Sequence, residues 1–142
     1  MYLLDTNVLS EAGKRDPNPH VLRWIMSVAE ESLFLSVVTI GEITQGIARL
    51  RRTGSAEADN DADWIQSWLD GLLANHSDQI LGIDIGIAGR WGRLCEAHPQ
   101  FETDMLLAAT ALEHGLTVAT RNVDHFRGSG VRVVNPFAAT SR

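Results

Sequence analysis

MYLLDTN, residues 1–7, is the stretch that decides the fold of this chain. Its first part, residues 2–4, is an apolar run that stops at the carboxylate of Asp5. Such a run predicts a buried strand of a parallel sheet, with the acid at the carboxyl end of the strand. Open α/β sheets bind their ligands at that edge. The opening residues therefore predict an α/β protein with an acid at its functional edge.

Short strand-like runs and helical runs alternate along the rest of the chain, without a repeat or a linker. This alternation predicts one domain over residues 1–142, a three-layer α/β/α fold with a mostly parallel central sheet of about five short strands. Further strands are expected at 33–36, 80–81, 116–120 and 131–134, and helices at 7–12, 18–28, 39–52, 61–73, 84–97 and 103–114.

Two helix starts carry specific predictions. Thr39 followed by Glu42 matches a capping box, so Thr39 is predicted to cap the third helix. The small, polar and acidic stretch 53–61 is predicted to be a loop, with the fourth helix beginning at Asp61 or Asp63.

Composition limits the class of protein. The net charge is −6, which argues against holding nucleic acid by bulk charge but allows a nuclease whose acidic cleft binds cations. No apolar run reaches the roughly 18 residues of a membrane span. A secretion signal is not expected, because no basic start leads into an apolar stretch. The single cysteine, Cys95, fits a reducing compartment, so we expect a cytoplasmic protein without membrane attachment.

Oxygen-bearing side chains recur at the positions that a parallel sheet gathers at one edge. Strand exits and helix starts share that edge, so residues distant in sequence can converge there. Hard divalent cations prefer such ligands, and close carboxylates without a cation would repel one another. The pattern predicts a site for a hard divalent cation such as Mg²⁺ made by Asp5, Glu42, Asp104, Asn122 and Asp124.

Three neighbours of these acids could contact a ligand at this site. Thr6 and Thr120 could orient a water molecule or a phosphate oxygen. Arg121 could pair with a phosphate, or be a solvated surface arginine. His125 follows Asp124, and we interpret it as a surface residue rather than a catalytic one.

The chain resembles PIN-domain proteins nearly end to end, and is most similar to their VapC and FitB branch, the toxin halves of bacterial toxin–antitoxin pairs. Four blocks carry the resemblance in order: LLDTNVLSE at 3–11, TDMLLAATA at 103–111, LTVATRN at 116–122 and VVNPF at 133–137.

The resemblance implies a Mg²⁺- or Mn²⁺-dependent ribonuclease that hydrolyses RNA phosphodiester bonds with metal-activated water. Asp5, Glu42 and Asp104 match the three central acids of the family. Asn122 stands at the fourth position, where many members have Asp, so the fourth ligand is Asn122, Asp124 or neither directly. His125 occupies another position that is often acidic in relatives.

Partners also follow from the resemblance: an RNA substrate, a cognate antitoxin of the VapB or FitA type, and a homodimer or higher assembly. Trp64 and Trp68 lie one helical turn apart. They are interpreted either as core residues or as part of a groove for the antitoxin.

Two other functions compete with this hypothesis. Aspartyl-phosphate enzymes also place an Asp after an apolar strand, but they use a later lysine, and the only lysine here is Lys14. A catalytically weak PIN-like module that binds RNA or a partner is the second alternative.

Overall fold

A central sheet of five parallel strands organises the computed structural model, which describes residues 1–139. The strand order is β3-β2-β1-β4-β5, so the first strand lies in the middle. The predicted parallel α/β/α architecture is confirmed. The strands are β1 (Tyr2–Leu4), β2 (Leu33–Ser36), β3 (Ile80–Leu81), β4 (Thr117–Ala119) and β5 (Val133–Val134).

Two α-helices join each of the first three strands to the next, and a short 3-10 helix (Val123–Phe126) joins β4 to β5. Among residues 1–139, no helix combines the length and the apolar content needed to cross a membrane. The helices are α1 (Thr6–Ala12), α2 (Pro19–Ser27), α3 (Val37–Thr53), α4 (Ala56–Asn75), α5 (Ile85–Ala97) and α6 (Glu102–His114).

The central strand divides the core in two. Leu3 is fully buried in one hydrophobic cluster with Met105 of α6, whereas Leu4 is buried in the other with Val8 of α1 and Ile43 of α3. Successive side chains of a strand point to opposite faces, so each leucine packs against a different helical layer. Burying each contributes roughly 2 kcal/mol, which fixes β1 between its neighbours.

The predicted capping box of the third helix is wrong. The N-cap of α3 is Ser36, whose hydroxyl accepts a hydrogen bond from the backbone N–H of Val38 at 3.1 Å. Strand β2 leads directly into the helix, so its last residue provides the cap and Thr39 is already inside the first turn, fully buried. Glu42 is thereby available for contacts outside its own helix.

The predicted loop at 53–61 is also wrong over most of its length, because α4 begins at Ala56. Ser55 caps this helix by accepting from the N–H of Ala58 at 3.0 Å. Glu57 and Asp59 lie in its first turn, where negative charge favours the helix. The acidic composition that suggested a loop thus stabilises a helix start.

Candidate active site

Asp5 ends the central strand and begins the first helix. Its backbone N–H donates to the carbonyl of Ala119 on β4 at 2.9 Å. Its carboxylate accepts from the N–H of Thr6 at Oδ1, 2.7 Å, and from the hydroxyl of Thr120 at Oδ2, 2.8 Å. The residue is only 5% exposed. The prediction that this acid follows a buried strand at the carboxyl edge of the sheet is confirmed.

The electrostatic surroundings of Asp5 disfavour its charge. Burial is the largest effect and raises its pKa. Hydrogen bonds from Thr120 and Thr6 partly offset the burial, and the negative charges of Asp104 and Glu42 raise the pKa further. Glu42 and Asp104 therefore lie close enough to Asp5 to act on its charge, and we call these three residues the acidic cluster.

Glu42 reaches the cluster from α3. The hydroxyl of Thr6 donates to its Oε1 at 2.7 Å and lies 3.3 Å from the hydroxyl of the buried Thr39. Thr6 therefore links two members of the cluster, since its backbone N–H binds Asp5 and its side chain binds Glu42. The predicted supporting position of Thr6 fits these contacts.

Asp104 lies in the first turn of α6, and its Oδ2 is 2.8 Å from Nδ1 of His125. His125 was predicted to be a surface residue, and the sequence pattern did not indicate this contact. Its ring is partly exposed, but it belongs to the surroundings of the acidic cluster. The available signal was its position three residues after Asn122, in a segment already predicted to lie at the site.

The two candidates for the fourth ligand occupy different surroundings. The N–H of Asn122 donates to the hydroxyl of Thr120 at 2.9 Å, and that hydroxyl in turn binds Asp5. Asp124 instead forms an ion pair with Arg127 at 2.6 Å, and its side chain is 75% exposed. Asn122 is thus connected to the cluster, whereas Asp124 is engaged at the surface.

Asn7 joins Asp5 to the loop after β4, a role that was not predicted from the sequence. Its Nδ2 lies 3.4 Å from Oδ2 of Asp5, and its Oδ1 accepts the backbone N–H of Arg121 at 3.2 Å. The guanidinium of Arg121 lies 4.6 Å from the ring centre of Phe137. An arginine backbone is therefore fixed beside the cluster while its side chain remains near the surface.

The fit of this site to a divalent cation depends on how many direct ligands the ion needs. Within residues 1–139, no three His, Cys, Asp or Glu side chains are arranged to hold one ion together. Mg²⁺, however, keeps several water molecules and takes only one or two carboxylates directly. Asp5 is buried near two other negative charges and its hydrogen-bond donors are neutral. These residues fit a hydrated divalent cation.

A groove of about 440 Å³ is lined by α1, α3 and α4 and includes one member of the acidic cluster, Glu42. Its lining includes Thr6, Glu42 and Trp64. Trp64 is 48% exposed, and its Nε1 donates to the carbonyl of Gly13 at 3.0 Å. Trp68 packs so closely on Gly13 that a Cβ there would lie 2.7 Å from the indole ring. The two tryptophans therefore support the α1–α2 loop and also line the groove.

The fold and the site define an α/β protein with an acidic cluster at the carboxyl edge of a parallel sheet. The family model of the PIN domain matches residues 2–129. The chain belongs to the PIN-domain family.

Relatives within the family are similar over almost the whole chain. The plasmid stability protein StbB of Pseudomonas syringae pv. tomato is 39% identical over 144 residues, covering 98% of this chain and 100% of that protein. Toxin FitB of Neisseria gonorrhoeae is 34% identical over 142 residues, covering 96% and 99%. VapC ribonuclease Y4jK of Sinorhizobium fredii is 32% identical over 143 residues, covering 96% and 98%.

Solved structures agree with this placement. The FitAB complex bound to an IR36 DNA fragment contains a chain that matches with a TM-score of 0.82 and 30% identity, over 99% of both chains. The resemblance to the VapC and FitB branch is therefore confirmed. Lys14, which an aspartyl-phosphate enzyme would need at the site, instead pairs with Glu11 at 2.8 Å.

Proposed function

We propose that this chain is a Mg²⁺- or Mn²⁺-dependent ribonuclease, the toxin of a toxin–antitoxin pair. The observation that carries the proposal is the buried carboxylate of Asp5, held at the sheet edge under the influence of Glu42 and Asp104. The names of the relatives, VapC ribonuclease and toxin FitB, support the same activity.

A divalent cation, when bound, would lower the pKa of a water molecule and stabilise the charge that develops on the phosphate. The protein's part is to orient the ligands. Thr120 and Thr6 fix the Asp5 carboxylate, and Thr6 also fixes Glu42 through Oε1. The second oxygen of Glu42 can then accept a proton from the attacking water. Asp5 and Asp104 are the carboxylates we assign to the cation.

The residue at the fourth ligand position affects how many cations the proposed site would hold. Asn122 could bind a cation through its carbonyl oxygen, but it adds no negative charge. We therefore expect one firmly held ion and a weaker second one. Asp124 contributes only if its ion pair with Arg127 opens.

RNA binding must overcome the net charge of −6. The phosphate backbone therefore needs local attraction, which a bound cation would supply at the acidic cluster. Arg121 supports a second phosphate contact, because its backbone is tied to Asn7 beside Asp5 and its side chain is exposed.

A cognate antitoxin of the VapB or FitA type is the proposed protein partner. The groove that begins at Thr6 and Glu42 gives an antitoxin segment a place from which to cover the acidic cluster. FitAB, the similar complex noted above, contains both components and DNA. A homodimer or higher assembly, which the resemblance implies, is part of the same proposal.

Cleavage of a labelled RNA by purified protein, with EDTA or with added Mg²⁺ or Mn²⁺, tests the enzymatic proposal. We expect metal-dependent cleavage that falls by more than about 100-fold in Asp5→Asn and in Asp104→Asn. Asp70→Asn, which changes an exposed acid on α4, is the matched control and should cleave normally. Equal cleavage by the unchanged protein and both cluster variants would exclude catalysis by the cluster.

The same assay distinguishes the alternative of a catalytically weak binding module. RNA binding without cleavage by the unchanged protein would favour that alternative. Asn122→Asp would then show whether the missing charge is the cause, because restoring a fourth acid should increase metal-dependent cleavage. Expression in a bacterial host should be toxic only while Asp5 and Asp104 are intact.

A further inference from the structure

His125 contacts Asp104 through a defined atom pair. Its Nδ1 lies 2.8 Å from Oδ2 of Asp104. When Asp104 is ionised its carboxylate can only accept a hydrogen bond, so Nδ1 is the donor in that state. This contact occupies one of the two oxygens of Asp104 and leaves Oδ1 as the oxygen that can turn to a cation.

The imidazole ring is itself held in place. It stacks on Phe101 with ring centres 4.2 Å apart and planes inclined by 15°. The backbone N–H of His125 donates to the carbonyl of Asn122 at 3.0 Å, and the next residue, Phe126, is buried in the core. A ring fixed by a stack and by its backbone can limit the rotation of the carboxylate that it binds.

We propose that His125 is a positioning residue for Asp104, an inference that rests on the proposed metal-dependent function. The imidazole holds the Asp104 carboxylate in one orientation, so that less conformational freedom is lost when a cation binds. Hydrogen bonds to carboxylate ligands typically change metal affinity by 10–100-fold when they are removed.

Three variants of His125 separate this role from direct coordination. In His125→Asn the amide Nδ2 is as many bonds from the backbone as Nδ1 of histidine, so it can still donate to Asp104. In His125→Gln the amide nitrogen instead corresponds to Nε2 of histidine. His125→Leu removes both nitrogens while keeping an apolar group beside Phe101.

Titration of the full-length, metal-free proteins with Mn²⁺, followed by electron paramagnetic resonance, measures the effect without an activity assay. We expect His125→Leu to weaken Mn²⁺ binding by about 10–100-fold and His125→Asn to remain near the affinity of the unchanged protein. His114→Leu removes an exposed imidazole from the other end of α6 and should have no effect. Thermal unfolding of the metal-free variants verifies that each is folded.

The outcomes separate the two proposals. If the unchanged protein binds Mn²⁺ and His125→Leu binds it equally well, only the positioning role is overturned. Retained affinity in His125→Gln but not in His125→Asn would also overturn it, in favour of direct contact through Nε2. If the unchanged protein binds no Mn²⁺, the metal-dependent function fails and the positioning role fails with it.

Discussion

Asp5 and Glu11 are both buried carboxylates at the two ends of α1, yet their surroundings shift their pKa values in opposite directions. Glu11 accepts from Nζ of Lys14 at 2.8 Å and from the backbone N–H of Asn18 at 2.7 Å. Burial alone would raise its pKa, but these hydrogen bonds and the positive charge of Lys14 outweigh burial, and the pKa lies below its usual value. The pKa of Asp5 is raised.

The helix dipole would predict the reverse, because it favours a negative charge at the start of α1 and disfavours one at its end. Specific partners therefore dominate over position in the helix. Glu11 is compensated within the chain, where it holds the turn between α1 and α2. Asp5 faces other acids, and a positively charged ligand from outside would compensate it. Burial by itself does not distinguish a structural carboxylate from a functional one, but the charge of its partners does.

Variants of the two acids should differ most in how strongly cation binding stabilises the protein. Adding Mn²⁺ at about 100 times its Kd is expected to raise the free energy of unfolding by about 2.7 kcal/mol. Asp5→Asn should lose most of this stabilisation, whereas Glu11→Gln should keep it. Urea unfolding with and without Mn²⁺ measures both. Equal stabilisation of Asp5→Asn and the unchanged protein would remove Asp5 from the metal site.

Truncation of Glu11 should be the next largest effect. Glu11→Ala leaves the N–H of Asn18 and the ammonium of Lys14 without their acceptor, and we expect a loss of about 2 kcal/mol in the free energy of unfolding. Urea denaturation checks this value. Glu96→Ala, at an exposed position on α5, serves as the control and should change stability by less than about 0.5 kcal/mol. A similarly small change in Glu11→Ala would mean that the turn does not depend on this acid.

Neutralising Asp5 should change the free energy of unfolding in the opposite direction. In metal-free protein with EDTA, Asp5→Asn removes a buried negative charge beside Glu42 and Asp104. The free energy of unfolding is expected to rise by an amount on the order of 1 kcal/mol. Differential scanning calorimetry would record this as a melting temperature a few degrees higher. A clear loss of stability would contradict electrostatic crowding at the acidic cluster.

The smallest expected effects that test the comparison of Asp5 with Glu11 are the changes in variant stability with pH. Glu11 has a lowered pKa, so its charge contributes stability above the ordinary value of 4.5, and this contribution is lost as the pH falls through the lowered pKa. The deficit of Glu11→Gln should therefore shrink in acid. Asp5 has a raised pKa, so the advantage of Asp5→Asn should be absent below the ordinary 3.8 and grow as the pH rises through the raised value.

Urea unfolding of the two variants and the unchanged protein, with EDTA and from pH 3 to 7, would test the pattern. Both stability differences are expected to increase in size towards neutral pH, with opposite signs. A deficit of Glu11→Gln that stays constant with pH would show that its charge is not stabilising.

Much of the fold could be predicted from local pattern. The apolar run before Asp5 predicts a central strand. Successive residues of a strand point to opposite faces of the sheet, so a continuous apolar run indicates that both faces are buried. The loop at 53–61 was a wrong prediction because its polar residues suit both a loop and a capped helix start. That choice depended on the contacts of α4 with the rest of the chain, including Trp68 against Gly13.

The sequence by itself determined that acids follow the strands and begin the helices of a parallel sheet, since the spacing of apolar and polar residues sets those elements. Only the tertiary structure decided which side chains meet. In that structure Glu42 accepts a hydrogen bond from Thr6, and Asp124 forms an ion pair with Arg127. His125 contacts Asp104. Such contacts depend on side-chain rotation and on the packing of elements distant in sequence, and the local pattern of apolar and polar residues reveals neither.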